Sequence, residues 1–118
     1  MTAARQARGR AGEERAARWY AAEGYRVVAR NWRCAEGEID LVCEDAATGT
    51  VVFCEVKSRS SDRYGSPFEA VTPRKQAKVR ALAARWLREH RGEVAARRIR
   101  FDVAAVRNYD IEVREGVF

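Results

Sequence analysis

The stretch Val51-Val52-Phe53-Cys54-Glu55-Val56-Lys57 decides the fold, because an apolar run leads directly into one acidic and one basic side chain. Its valines and phenylalanine predict a buried strand over residues 50–57. Side chains alternate between the two faces of a strand, so Glu55 and Lys57 share one face, opposite Val56. A surface ion pair of little energy would give the same pattern, so this strand alone leaves a structural and a functional role equally open.

Two further strands are predicted before this one, at residues 25–32 and 38–44. A cluster of turn-forming residues at 45–49 joins the second strand to the third. The connections between the three strands are short, and short connections join antiparallel neighbours. The sequence therefore predicts a three-stranded antiparallel meander.

Helices are predicted before and after the meander. Over residues 10–23, apolar side chains recur at spacings of three and four, and Gly24 follows as a stop signal. A second helix begins after Thr72, a capping residue that is followed by Pro73 at the first helical position, and it runs to about residue 90. Each helix can therefore cover part of the predicted sheet.

A fourth strand is predicted at residues 99–106, and a short fifth strand is predicted at residues 111–113. The second helix is long enough to carry the chain back across the sheet, so the fourth strand returns to the same sheet. The expected fold is an α/β sandwich of order αβββαβ, in which a mixed central sheet is flanked by helices.

Length and composition indicate one globular domain. The chain has 118 residues, and we place a single domain at residues 10–118, after a flexible basic segment at residues 1–9. A hydrophobic content of 47% argues against disorder, while 34% charged residues and no apolar run of about 18 residues argue against a membrane protein. No apolar segment follows the basic N-terminus, so we expect no secretory signal and a cytoplasmic location.

Charge and cysteine content narrow the class of partner and the compartment. The net charge is +6, with 20 arginines among the 23 basic residues, which favours a polyanionic partner such as nucleic acid. The three cysteines form no C-x-x-C pair, which is typical of a reduced, cytoplasmic chain. Cys43 and Cys54 lie within apolar runs, so we expect both in the core.

Asp40 is an acid among the apolar residues of the predicted second strand, and a buried acid needs a partner or a metal ion. Pairing of the second and third strands would place it a few residues along the hairpin from Glu55. Two close carboxylates repel each other unless a cation lies between them. Ligand sets made only of oxygen favour Mg²⁺ or Mn²⁺ over zinc, so the two acids suggest a site for such an ion.

Glu13 is a third acid at a position that a helix should bury. It shares one helical face with Ala16, Ala17 and Tyr20, the face that must pack on the sheet. Glu13 also lies near the helix N-terminus, where a negative charge interacts favourably with the helix dipole, and this could be its whole role. The position on the packing face makes a functional role the preferred interpretation.

This order of residues resembles the PD-(D/E)XK, or restriction-endonuclease-like, nuclease superfamily, with an acid on the first helix, Asp40 on the second strand and Glu55-x-Lys57 on the third. More closely, the chain is similar to the YraN-like family of small bacterial proteins, described as predicted endonucleases related to archaeal Holliday junction resolvases. The matching motifs are spread in the same order over almost the whole chain after residue 9. Together they are far more specific than E-x-K alone. The matching stretches are Gly12-Glu13-Glu14, Gly24-Tyr25, Asn31-Trp32-Arg33, Gly37-Glu38-Ile39-Asp40-Leu41-Val42, Glu55-Val56-Lys57, Gly65-Ser66-Pro67, Glu69-Ala70-Val71, Lys75 and Arg100-Phe101-Asp102-Val103.

The resemblance implies a restriction-endonuclease-like core and four catalytic residues. Asp40 and Glu55 would hold a Mg²⁺ or Mn²⁺ ion, helped by the backbone carbonyl of Val56, and Glu13 would bind a metal ion or its water. Lys57 would orient the attacking water, help to deprotonate it and stabilise the charge that develops on the phosphate. Such a set supplies what phosphodiester hydrolysis needs without a histidine or a serine nucleophile.

Five further polar residues are candidates for contact with nucleic acid. They are Arg33, Arg59, Arg63, Lys75 and Gln76. The first lies beside the turn into the second strand, the next two lie in the polar loop after Lys57, and the last two begin the second helix. Ordinary solvated side chains have the same appearance in a sequence, so both interpretations stay open.

The expected function is therefore that of a Mg²⁺-dependent endonuclease that acts on DNA and selects branched or junction structures. Two alternatives stay open: a catalytically weak nucleic-acid-binding module, and a subunit of a DNA repair or processing assembly. Resolution of a four-way junction needs two cuts, which favours a homodimer, although no sequence feature identifies the interface. We expect no membrane partner.

Overall fold

A sheet of five strands forms the centre of the fold, and the strand that contains Glu55 and Lys57 lies in its middle. The computed structural model describes residues 3–59 and 65–118. The strands, which are adjacent in chain order, are β1 (Arg26–Cys34), β2 (Gly37–Asp45), β3 (Thr50–Ser58), β4 (Arg98–Arg107) and β5 (Asp110–Arg114).

The directions of the strands confirm the predicted topology. Strands β1, β2 and β3 form an antiparallel meander, β4 runs parallel to β3, and β5 returns antiparallel to β4. The parallel pair requires a crossover, and the helix α2 (Pro73–Glu89) lies within it. The result is a mixed sheet, compatible with a restriction-endonuclease-like core.

Two helices cover the two faces of the sheet. Helix α1 (Ala3–Ala22) buries Ala16, Ala17 and Tyr20 on one face, in a cluster that includes Cys43 and Cys54. Helix α2 buries Leu82, Ala83 and Trp86 on the other face, against Ile39, Val42, Val51 and Phe53. The two cysteines are buried and unpaired, as expected of core residues.

The first helix is longer than its apolar spacing indicates. It begins at Ala3, whereas the sequence analysis placed its start at residue 10, so part of the segment 1–9 is helical. The extra turns contain alanine, arginine and glutamine, which have high helix propensity and need no apolar stripe to form a helix. The flexibility expected of residues 1–9 stays a prediction.

The loop between β3 and α2 contains a short element that the sequence analysis did not predict. A 3₁₀ turn at Pro67–Ala70 begins after Ser66, whose hydroxyl accepts a hydrogen bond from the Phe68 N–H at 3.3 Å. Helix α2 then begins as predicted, because the Thr72 hydroxyl accepts a hydrogen bond from the Lys75 N–H at 3.3 Å. Among the described residues, no helix has the length and apolar character needed to cross a membrane.

Candidate metal centre

The hairpin of β2 and β3 brings Asp40 and Glu55 together. Leu41 pairs with Cys54 across the hairpin. Asp40 precedes Leu41 and Glu55 follows Cys54, so the same antiparallel register places the two acids side by side. Asp40 is 9% exposed and Glu55 is 3% exposed. The Oδ2 atom of Asp40 accepts a hydrogen bond of 2.8 Å from the Val56 N–H, which fixes its carboxylate against β3. The predicted proximity of the two carboxylates is thus present.

Burial disfavours the charged forms of both acids, and the neighbouring charge of Glu55 adds to this effect at Asp40. The pKa of Asp40 is raised to about 7, chiefly by burial and next by the negative charge of Glu55, while the hydrogen bond from the Val56 N–H opposes the rise. Burial also raises the pKa of Glu55, although the nearby Lys75 and Lys57 oppose the change. The two carboxyl groups therefore lie where negative charge is incompletely compensated.

Lysines approach Glu55 from two elements. Lys75 extends from the first turn of α2, and its Nζ lies 3.6 Å from Glu55 Oε2. Lys57 lies two residues along β3 on the same face as Glu55 and lowers its pKa through space. The other oxygen, Glu55 Oε1, is buried and has no hydrogen-bond partner among the residues that the structure describes.

Glu13 reaches the site from the opposite face of the sheet. The preceding residue, Gly12, packs so closely that a Cβ atom there would lie 1.8 Å from the Ser58 Oγ and 3.2 Å from its Cβ. This close approach brings α1 to the end of β3, and the charge of Glu13 contributes to the raised pKa of Asp40. Within residues 3–59 and 65–118, however, no three Asp, Glu, His or Cys side chains converge as a metal-binding group. The metal role expected of Glu13 stays a prediction.

The donor set fits a hard divalent cation held by Asp40, Glu55 and Val56. The unpartnered Glu55 Oε1 and the raised pKa of Asp40 both indicate a need for positive charge, which a bound cation would supply. The N–H and C=O of one strand residue point to the same side, so the Val56 carbonyl is directed toward the strand of Asp40, as its N–H is. Oxygen donors of this kind suit Mg²⁺ or Mn²⁺.

Asp102 is another buried acid, and its environment is the opposite of that of Glu55. It is fully buried on β4 and accepts hydrogen bonds from the Tyr20 hydroxyl at 2.6 Å and the Gly116 N–H at 3.0 Å. The Arg100 guanidinium donates two more, both at 2.9 Å. An acid with four donors needs no metal ion, so Asp102 is a structural residue.

The residues expected to contact nucleic acid differ in what surrounds them. Arg33 pairs with Glu38 at 3.0 Å, and the Gln76 side chain donates to the Val71 carbonyl at 3.1 Å. Lys75 is directed toward Glu55, while Arg59 is exposed and lines two surface cavities. Arg63 lies outside the described residues. Contact with nucleic acid stays a prediction for all five.

Two features near the site were not predicted from the sequence. Tyr109 is 88% exposed at the end of the β4–β5 hairpin, and the Oγ of Ser58 is buried without a hydrogen-bond partner among the described residues. The turn-forming Asn108 before Tyr109 signals a hairpin, but no local pattern shows that this hairpin lies beside α1.

Replacing Asp40 with asparagine should stabilise the metal-free protein at pH 8. The pKa of Asp40 is about 7 in the folded state and 3.8 in a model peptide. Between these pH values the folded state binds more protons than the unfolded state, so stability falls as pH rises from about 4 to about 7. That gap sets an upper limit of roughly 4 kcal/mol at pH 8, and asparagine removes the penalty while its amide oxygen can still accept from Val56.

Thermal unfolding in EDTA at pH 4.5 and pH 8 measures this effect. We expect Asp40→Asn to raise Tm by roughly 5 °C or more at pH 8 and by much less at pH 4.5. Asp110→Asn, which changes an exposed acid in the same way, should leave Tm nearly unchanged at both values. Equal effects of Asp40→Asn at the two pH values would contradict the prediction.

Comparison with known proteins gives the family. Residues 12–106 match the family described as "Uncharacterised protein family UPF0102". A UPF0102 protein of Frankia casuarinae is 55% identical over 103 residues, which cover 87% of this chain and 84% of that protein. A UPF0102 protein of Mycolicibacterium smegmatis is 52% identical over 99 residues, which cover 84% and 78% of the two chains. The chain belongs to the UPF0102 family, in agreement with its likeness to the YraN-like proteins.

Proposed function

We propose that this protein is a divalent-cation-dependent endonuclease of the PD-(D/E)XK superfamily that hydrolyses phosphodiester bonds in DNA. The observation that carries the proposal is the buried pair of Asp40 and Glu55 at the end of the hairpin, with one carboxylate oxygen left without a partner. An acid pair of this kind lowers stability when no cation compensates its charge. Carboxyl groups with perturbed pKa values also cluster at functional sites.

Each residue of the site has a distinct task in this proposal. Asp40, Glu55 and the Val56 carbonyl bind Mg²⁺ or Mn²⁺, and the ion supplies positive charge at the phosphate and makes water more acidic. Lys57, on the same face as Glu55, orients the attacking water and stabilises the charge that develops on the phosphate. Glu13 accepts a hydrogen bond from water at the edge of the site that α1 approaches.

Lys75 stabilises the site before the cation binds. Its ammonium lies 3.6 Å from Glu55 Oε2 and provides the opposite charge that the described residues bring closest to that carboxylate. When the acids hold a cation, the positive charge of Lys75 is no longer needed at Glu55. The lysine is then able to turn toward a phosphate, in keeping with the role expected of it in binding nucleic acid.

DNA is the substrate that the charge favours. The net charge of +6 attracts a polyanion, and Arg59 and Lys57 lie on the same strand end as the acid pair. We further propose that branched DNA is preferred over linear duplex, and that a homodimer makes the two cuts that a four-way junction requires.

Cleavage of labelled four-way junction, flap and linear duplex DNA in Mg²⁺, Mn²⁺ and EDTA tests the proposal. We expect cutting only with a divalent cation, and at least about tenfold faster cutting of a branched substrate than of linear duplex. A Glu55→Ala protein purified in parallel is the control, because the activity of a contaminating nuclease would persist in that preparation. Binding without cutting would favour the alternative of a nucleic-acid-binding module. No binding at all would favour a subunit of a larger assembly.

A further inference from the structure

The β4–β5 hairpin presents an aromatic ring to solvent. Tyr109 is 88% exposed, more than twice the exposure of Ile99 or Val117, which are the other exposed large apolar residues of the described chain at 40% each. The preceding Asn108 has φ of +57°, in the left-handed region that asparagine tolerates in tight turns. The ring therefore lies on a short, constrained turn.

A contact with α1 fixes the position of this turn. The Arg15 guanidinium donates through Nε to the Tyr109 carbonyl at 2.9 Å, across 94 residues of sequence. Arg15 lies two residues after Glu13 on the same helix. The helix that brings Glu13 to the acid pair thus also holds the hairpin that carries Tyr109.

A cavity extends from Tyr109 to the end of β3. It has a volume of about 430 Å³, and its lining includes Tyr109, Gly12, Ser58 and Arg59. Gly12 and Ser58 are the immediate chain neighbours of Glu13 and Lys57, so the cavity lies at the end of β3 that carries Lys57, on the face of the sheet that α1 covers. Its wall includes a Ser58 whose Oγ is buried and has no hydrogen-bond partner among the described residues. A volume of this size is within the range of cavities that hold small ligands.

The surroundings of the cavity favour an anionic ligand. The Arg59 N–H donates to the Val106 carbonyl at 2.9 Å, which fixes the backbone of Arg59 between this cavity and a second one of similar volume. The lining of the second cavity includes Arg107 and Arg114 as well as Asp110 and Glu112. Together with Arg15, these arginines give the region an excess of positive charge around one exposed ring.

We propose that Tyr109 stacks on an unpaired nucleobase while Arg59 binds the adjacent phosphate, at the end of β3 that also carries Lys57. An exposed aromatic ring with nearby arginine is the combination by which proteins bind single-stranded nucleic acid, since every base offers a face for stacking. A paired base in continuous duplex has both faces covered and cannot use the ring. This inference rests on the proposed function and specifies its substrate as DNA with unpaired bases beside the cut, such as a flap or an open junction.

Binding in EDTA tests the inference without interference from cleavage. The probes are fluorescein-labelled 15-nucleotide oligo-dT, oligo-rU of the same length and a 15-base-pair DNA duplex, measured by anisotropy. We expect Tyr109→Ala to weaken oligo-dT binding about tenfold and duplex binding less than twofold. Tyr109→Trp should bind as well as the original protein, because it retains the stacking surface. Ile99→Ala, the matched loss of an exposed apolar side chain, should bind normally.

The dependence of affinity on salt separates stacking from charge. Tyr109→Ala should leave the slope of log K against log salt unchanged, because no phosphate contact is lost. Arg59→Ala should reduce that slope by about one and weaken every probe. A similar tenfold effect with oligo-rU would extend the site to unpaired RNA, whereas an effect with oligo-dT alone would restrict it to DNA.

Several results would overturn the inference, and they differ from those that would overturn the proposed function. Unchanged oligo-dT binding by Tyr109→Ala, or an equal loss with the duplex, would exclude base stacking by this ring. If the original protein cuts DNA and Tyr109→Ala binds normally, the nuclease stands and the inference fails. If the original protein cuts no DNA but Tyr109→Ala loses oligo-dT affinity, base stacking by Tyr109 stands and the nuclease, with the substrate inferred for it, fails.

Discussion

Replacing Glu55 with glutamine should reduce metal-dependent cleavage of DNA by at least about a hundredfold. The substitution keeps the size of the side chain but removes the negative charge that, with Asp40, would hold the cation. It also removes the charge that draws Lys75 Nζ to within 3.6 Å of the carboxylate. Losses of this size are typical when electrostatic stabilisation of a transition state is removed. Initial cleavage rates at saturating Mg²⁺ measure the effect.

Two controls make the Glu55→Gln result specific. Glu89→Gln makes the same chemical change at the far end of α2, about 21 Å along the helix from Lys75, and should cut normally. Binding of the DNA substrate in EDTA should be at least as tight for Glu55→Gln as for the original protein, because no basic residue is lost and one negative charge is removed. Retained cleavage by Glu55→Gln would rule out the acid pair as the site of catalysis.

Replacing Asp102 with alanine should produce the largest loss of stability of any substitution considered. The fully buried carboxylate accepts hydrogen bonds from the side chains of Tyr20 and Arg100 and from the Gly116 N–H. Its removal leaves the Tyr20 hydroxyl without that acceptor and the Arg100 guanidinium, which is 23% exposed, without its closest counter-charge. Breaking a buried pair in this way costs about 3–5 kcal/mol, which for a domain of this size lowers Tm by more than about 10 °C.

Urea unfolding of Asp102→Ala measures the loss, and two variants identify its source. Tyr20→Phe removes one of the donors and should cost only about 1–2 kcal/mol. Glu112→Ala breaks the exposed pair with Arg114 at 3.0 Å and should leave the urea midpoint nearly unchanged. An Asp102→Ala protein as stable as the original would show that the network around Asp102 contributes little to stability.

Much of the fold could be predicted because its elements have local signals. The apolar run before Glu55 predicted β3 to within one residue of its observed end at Ser58, and Thr72 with Pro73 predicted the start of α2. The parallel placement of β4 followed from the length of the crossover. The start of α1 was wrong, because the alanine and arginine residues before residue 10 form helix without an apolar stripe.

The candidate site could be predicted only in part. The sequence placed Asp40 and Glu55 near each other because both belong to one hairpin, whose register follows from the short turn. Two contacts at the site join elements that lie far apart in the chain: Lys75 with Glu55, and Gly12 with Ser58. No local sequence pattern predicts either contact. For the same reason, the exposed ring of Tyr109 beside α1 was not predicted.

Asp40 and Asp102 show most clearly what the sequence and the tertiary structure each determine. Both acids lie between apolar residues of a strand, a placement from which the sequence favours burial, and a buried acid needs compensation. Only the tertiary structure decides how that compensation is supplied, because the groups around a buried charge come from distant elements. Asp102 receives the hydroxyl of Tyr20 from 82 residues away, whereas Asp40 receives the Val56 N–H and lies next to another carboxylate. Hydrogen bonds stabilise the first charge, and the second retains a need for positive charge that a bound cation can meet.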